Sequence, residues 1–198
     1  DRLFANRNND KPLRIWVVGC GTGEEAYSLV IHLKQKAAEF DFNGEVKILA
    51  TDICGTAVRT AIRGTYPPNK IKISDGVAQE HHFAARKDTG WRISNALRRL
   101  MVITRHDVLT EPPFSRLDAI VCRNLLSDIE PAYRNQVMER FHYALAPDGL
   151  LILGENESSA HSKAQFEPVD GYPAHFRQKV ADGAGPSWQS TELRPRFG

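Results

Sequence analysis

The stretch Arg14 to Leu33, RIWVVGCGTGEEAYSLVIHL, constrains this chain most. Arg14 to Val18 is a short run with β-branched and aromatic side chains, the composition of a parallel strand covered on both faces. Gly19, Gly21 and Gly23 follow. Glycines allow a tight turn and let a ligand approach the backbone closely. From Glu24 the period becomes helical, with Ala26, Leu29, Val30 and Leu33 on one face. Strand, glycine turn and helix open an α/β fold with an open sheet, in which ligands bind beyond the carboxyl ends of the strands.

The glycine spacing narrows the choice of ligand. A dinucleotide fingerprint has glycine at its first, third and sixth positions. Here the third glycine stands fifth and Glu24 stands sixth. Glu24 and Glu25 fall in the first helical turn, where acidic groups favour the positive end of the helix dipole. The same charges repel a pyrophosphate placed there. S-adenosylmethionine carries a sulfonium and an ammonium and has no phosphate, so the turn favours it over a dinucleotide. A βα turn of this kind also occurs with no ligand at all.

Composition excludes several classes. The chain has 198 residues, 41% of them apolar and 25% charged, as in one globular domain with a proper core. A net charge of +2 is too small to point to nucleic acid or an anionic membrane. No apolar run reaches the length of a membrane-spanning helix, and no signal peptide stands at the start. Cys20, Cys54 and Cys122 are far apart and form no CxxC pair, which suits reduced thiols in the cytoplasm. His81 and His82 are adjacent and cannot share a helical face as metal ligands do. They read as surface histidines, and no metal site is expected.

Along the chain, Asp1 to Pro12 reads as the end of a preceding helix and a linker. Val46 to Thr51 is a second strand closed by Asp52, where βαβ nucleotide folds place a ribose-binding carboxylate. The alternative for Asp52 is an N-cap for a helix over Gly55 to Arg63. Gly64 to Asn69 reads as a turn, Val77 to Ala85 as helical, and Trp91 to Ile93 as a short strand. Leu100 to Thr104 is a third strand with His106, Asp107 and Val108 at its carboxyl end. Asp107 there either accepts from an adenine amino group or caps its own loop. Leu117 to Cys122 is a fourth strand, with Arg123 and Asn124 just beyond. Pro131 opens an amphipathic helix to Leu145, with Val137, Phe141, Ala144 and Leu145 inward. Pro147 to Gly149 is a turn and Leu150 to Leu153 a fifth strand. Phe166 to Val169 and Ala174 to Lys179 form a hairpin about Asp170 and Gly171. Ala181 to Gly198 reads as a flexible tail.

GCGTGEEAYSL, ILATDI, RHDVL, DAIVCRNLL and PDGLLILGENES, in this order and spacing, resemble the CheR-type protein-glutamate methyltransferases of bacterial chemotaxis. PPFSRLDAIVCRNLL and FHYALAPDGLL look most like the branch fused to a methylesterase. The resemblance implies a class I S-adenosylmethionine-dependent methyltransferase (Rossmann-like) fold over residues 13–180. Its mostly parallel seven-stranded sheet ends in a C-terminal antiparallel hairpin. Residues 1–12 would then link to an N-terminal helical region. It implies S-adenosylmethionine as donor, S-adenosylhomocysteine as product, and acceptor glutamates on a receptor or signalling protein.

Carried over by position, Gly19, Cys20 and Gly21 pass the methionine part of the cofactor and Glu25 meets its amino-acid end. Asp52 and Ile53 of the TDI motif hold the ribose side. Asp107 and Val108 stand near the adenine. Cys122 and Arg123 contact the cofactor, and Arg123, the catalytic candidate, also faces the reaction site. A carboxylate acceptor is ionised at neutral pH and needs no general base. The protein's part is alignment and exclusion of water, with an arginine to position the incoming carboxylate. The family usually has a tyrosine where this chain has Asp128, in NLLSDIEP. That departure keeps an alternative open, a degenerate module that binds the donor or its product as a signal. A dinucleotide oxidoreductase is the remaining alternative.

Overall fold

The computed structural model describes residues 1–5, 7–67, 83–86, 90–154, 157 and 165–179. Seven strands form the main sheet: β1 (Leu13–Val18), β2 (Val46–Asp52), β6 (Met101–Arg105), β7 (Leu117–Cys122), β8 (Leu145–Leu153), β9 (Phe166–Val169) and β10 (Tyr172–Gln178). Their order across the sheet is β6-β2-β1-β7-β8-β10-β9. The first five in that order run parallel, and β10 is antiparallel to both β8 and β9. This is the class I methyltransferase arrangement, with the expected antiparallel hairpin. From β1 the chain builds outward through β2 to β6, then returns to the other side of β1 with β7. The switch opens a crevice at the carboxyl ends of β1 and β7, where ligands collect in such sheets.

Helices cover both faces. On one side α1 (Glu24–Glu39) buries Ala26, Tyr27, Val30, Leu33 and Ala37 against Ile15, Val17, Ile48, Ala119 and Val121. On the other, α5 (Pro131–Ala144) buries Val137, Met138, Phe141 and Ala144 against Trp16, Ile120, Leu151 and Leu153. Alternate residues of one strand therefore serve opposite cores, and β1 must be apolar at nearly every position. The helices α2 (Gly55–Arg63) and α3 (Asn95–Arg98) flank a small antiparallel sheet, β3 (Thr65–Tyr66), β5 (Gly90–Ile93) and β4 (Phe83–Arg86) in spatial order. The short α4 (Leu125–Asp128) follows β7. Among the described residues no helix is long and apolar enough to cross a membrane.

Several sequence expectations are corrected. Thr65 and Tyr66 are not turn residues but pair with Arg92 and Trp91. The described end of the expected Val77–Ala85 helix is strand, since Phe83 pairs with Ile93. Local helical spacing there gives way to cross-strand pairing, which only a folded neighbour can supply. The stretch Asp1 to Pro12, expected as a helix end and a linker, packs on the domain. Phe4 is buried against Phe40 and Phe42, and Arg7 grips Asp118 through both guanidinium nitrogens at 2.9 Å. Pro147 to Gly149 is a bulge inside β8: Leu117 pairs with Leu145 but Ala119 with Leu150, and Asp148 takes φ 63°. The hairpin's second strand starts earlier than expected, at Tyr172. His81, His82 and the tail from Ala181 lie outside the described residues.

Trp16 is the largest fully buried side chain. Its ring meets His106, Phe114 and Phe141 edge-on, at centroid distances of 5.5, 5.0 and 5.8 Å. Its Nε1–H donates to Thr51 Oγ1 at 2.8 Å, a bond buried between β1 and β2. Thr51→Val keeps the shape but strands that N–H. The expected loss is about 1–3 kcal/mol, read as a lower urea midpoint at unchanged slope; a midpoint equal to wild type would contradict this account of the core.

Candidate functional site at the carboxyl ends of the strands

The site begins with the turn after β1. Cys20 N–H donates to Thr51 O at 2.9 Å, and Gly21 N–H donates to Asp52 Oδ2 at 2.8 Å. Asp52 Oδ1 accepts from Cys54 N–H, also at 2.8 Å. One carboxylate thus ties the glycine turn of β1 to the end of β2 and the start of α2. The N-cap position of α2 is Cys54 rather than Asp52, so the helix-cap alternative for Asp52 fails. A carboxylate offers about four lone-pair directions. Each Asp52 oxygen has one backbone donor, which leaves acceptor capacity facing the crevice.

Gly23 closes the turn at φ 97°. A Cβ there would lie 2.8 Å from Ala61 Cβ and 2.9 Å from the Tyr66 hydroxyl, so the turn, α2 and the small sheet meet where only glycine fits. The Tyr66 hydroxyl donates to Thr22 O at 2.7 Å. Burial pushes its pKa up, which keeps it a neutral donor. Nothing in the local pattern points to this role, because Tyr66 sits beside prolines in a stretch that reads as a turn.

The other strand ends bring most of the expected residues to the same edge. Ile53 is 57% exposed, an apolar side chain open to solvent beside Asp52. His106 N–H donates to Asp52 O at 3.1 Å and draws the loop after β6 against β2. Asp107 Oδ1 accepts from Leu109 N–H at 2.9 Å and its Oδ2 from Thr110 Oγ1 at 2.8 Å. These bonds hold its carboxyl below the usual range. The loop-capping role foreseen for Asp107 is therefore present. Val108 is buried in the core.

Arg123, half-exposed beyond β7, pairs with Glu25 of α1 through Nη1 and Oε1 at 3.0 Å. The pair spans the switch between β1 and β7. Cys20 and Cys122 are buried thiols. Burial pushes Cys20 up to about 12 and Cys122 well above its usual value, so both are packing groups rather than thiolate nucleophiles. Asp128 is exposed at the end of α4, two residues before the N-cap of α5 at Glu130. A groove of about 540 Å³ runs beneath α1 along β8 and β10, lined by Leu29, Leu33, Ile152 and His175. It reaches the strand-end crevice at Glu25 and Arg123.

The strand order, with β10 antiparallel between β8 and β9, is that of a class I methyltransferase. The sequence of residues 1–174 matches the family model "CheR methyltransferase, SAM binding domain". The chain belongs to that CheR family, and S-adenosylmethionine is its cofactor. It is 32% identical over 160 residues to chemotaxis protein methyltransferase 2 of Pseudomonas aeruginosa, covering 77% of this chain and 55% of that one. It is 28% identical over 165 residues to the chemotaxis protein methyltransferase of Borreliella burgdorferi, covering 82% and 58%. It is also 31% identical over 186 residues to a 104.1 kDa protein in the hypE 3′ region of Rhodobacter capsulatus, covering 94% of this chain and 19% of that protein. The chain spans little more than half the length of these chemotaxis methyltransferases.

The depressed Asp107 carboxyl has a pH signature. A carboxyl with a lowered folded-state pKa contributes stability that is complete above its unfolded value, about 3.9. That contribution is lost as pH falls through the lower folded value. Asp107→Asn should therefore lower the urea midpoint at pH 7, and the gap to wild type should narrow below about pH 4. A gap of the same size at neutral and acid pH would show that the carboxylate's charge plays no part.

Proposed function

We propose that this domain transfers the methyl group of S-adenosylmethionine to glutamate side-chain carboxylates of a chemoreceptor-type signalling protein. One observation carries the proposal: Glu25 and Arg123 stand 3.0 Å apart where the strand-end crevice meets the groove. A carboxylate and a guanidinium at one junction match a donor with a cationic amino-acid end and an anionic acceptor.

The residues present fit the cofactor. Glu24 and Glu25 put negative charge in the first turn of α1, which suits an ammonium and opposes a phosphate. In the proposed complex Glu25 receives the ammonium, and Asp52 accepts from the ribose hydroxyls while keeping its bonds to Gly21 and Cys54. Ile53 offers an apolar surface on the ribose side, with Asp107 and Val108 beside the adenine. The turn Gly19, Cys20 and Gly21 passes the methionine part, while Cys122, fully buried, packs behind it at the end of β7. When bound, the cofactor supplies a methyl group activated by its sulfonium.

Arg123 holds the acceptor carboxylate in line with that methyl group. A new oxygen–carbon bond forms as the sulfur–methyl bond breaks, leaving a methyl ester and S-adenosylhomocysteine. The acceptor is already ionised, so no base is required. Alignment and exclusion of water are the protein's contribution. The free thiols of Cys20, Cys54 and Cys122 suit a cytoplasmic setting.

Calorimetry should show S-adenosylmethionine and S-adenosylhomocysteine binding, with no heat from NAD. Asp52→Ala should weaken both about 10- to 100-fold, the loss expected for charge-assisted hydrogen bonds; unchanged affinity removes Asp52 from the site. Labelled methyl should pass to a base-labile product on a receptor fragment carrying acceptor glutamates. Arg123→Ala should slow that transfer about 100-fold. Cofactor binding by the full natural chain with no transfer to any such fragment would favour the regulatory module instead.

A further inference from the structure

The carboxylate of Glu157 accepts three backbone hydrogen bonds from two separate segments. Its Oε2 accepts from Asn124 N–H and from Gly154 N–H, each at 2.9 Å. Its Oε1 accepts from Leu126 N–H at 2.7 Å. Asn124 and Leu126 are the N-cap and second residue of α4, just after Arg123 leaves β7, and Gly154 directly follows β8.

This turn needs an outside acceptor. Asn124 is the N-cap of α4, takes φ 65°, and makes no side-chain capping bond. The first N–H groups of a helix have no partner within the helix. Glu157, 33 residues further along, supplies one to Asn124. The approach is close: a Cβ at Gly154 would lie 2.8 Å from Glu157 Oε2 and push the carboxylate away. The negative charge also reaches the strand end itself, since it helps to push up the thiol of Cys122. Burial is the larger cause of that shift.

Among the described residues Arg123 pairs with Glu25, and its side chain is half-exposed. Its aim is therefore set mainly by the backbone beneath it, which Glu157 bolts to the end of β8. We propose that Glu157 is a positioning residue: through Asn124 and Leu126 it holds the backbone that aims Arg123 at the donor and acceptor. The proposal rests on the role given to Arg123 above.

A double-mutant cycle in the full chain tests it, with S-adenosylhomocysteine affinity by calorimetry and methyl transfer as separate readouts. Glu157→Ala should weaken S-adenosylhomocysteine binding about 3- to 10-fold and slow transfer about 10- to 100-fold, the range for a displaced catalytic group. In the Arg123→Ala background the same change should add less than about twofold to either, because a residue acting through Arg123 couples to it. Full multiplication of the two effects, or no effect of Glu157→Ala on either readout, overturns the proposal. Should circular dichroism show that Glu157→Ala is unfolded, Glu157→Gln takes its place. It keeps one acceptor oxygen and should give a smaller loss with the same coupling, and wild-type behaviour overturns the proposal equally. If the wild type binds S-adenosylhomocysteine but transfers no methyl group, the proposed function fails, and the calorimetric cycle alone still decides for or against Glu157.

Discussion

The contact on which the site depends is the pair of hydrogen bonds that Asp52 accepts from the amides of Gly21 and Cys54. Parallel neighbours such as β1 and β2 are tied along their length by backbone hydrogen bonds, but their carboxyl ends splay into separate turns. Asp52 joins those turns. It reaches back to the glycine loop of β1 with one oxygen and forward to the start of α2 with the other. The crevice therefore has a wall held by one side chain bonded to two backbone segments, with spare acceptor directions on its carboxylate.

The wall is braced from behind by groups that touch no ligand. Trp16, wedged among His106, Phe114 and Phe141, hydrogen-bonds Thr51 one residue before Asp52. Tyr66 reaches across from the small sheet to the carbonyl of Thr22. His106 N–H meets the carbonyl of Asp52. Three separate parts of the chain thus converge on the ends of β1 and β2. This matters for a reaction whose barrier is lowered mainly by orientation, because small displacements of the reacting groups are costly.

Electrostatics divides the crevice. Glu24, Glu25 and Asp52 make the donor side anionic, with Arg123 as the cation at its rim. An exposed pair such as Glu25–Arg123 is worth little to stability, about 0–1 kcal/mol. Both partners can therefore exchange each other for ligand charges at small expense. A buried, fully bonded pair at the same place would resist that exchange. In the proposed complex, partial exposure would let the pair open at little cost to stability.

Local pattern alone located the strands of the main sheet, the two long helices and the placement of Asp52, Asp107 and Arg123 at strand ends. Those features follow from periodicity and from where chain direction changes, which are properties of neighbouring residues. Helical spacing misled over Phe83 to Ala85, because strand pairing depends on a partner that the local sequence does not show. The N-terminal residues looked detached because Phe4 and Arg7 find their partners, Phe42 and Asp118, far along the chain. Tyr66 and Glu157 were invisible for the same reason. Neither lies in a pattern of its own, and each acts on backbone more than thirty residues away. The α/β class and the glycine turn with its two acidic neighbours are written in the local pattern of residues. Which side chains stiffen that turn and tie down the backbone beside Arg123 depends on the folded chain, since directional hydrogen bonds form only once packing brings distant segments to within about 3 Å.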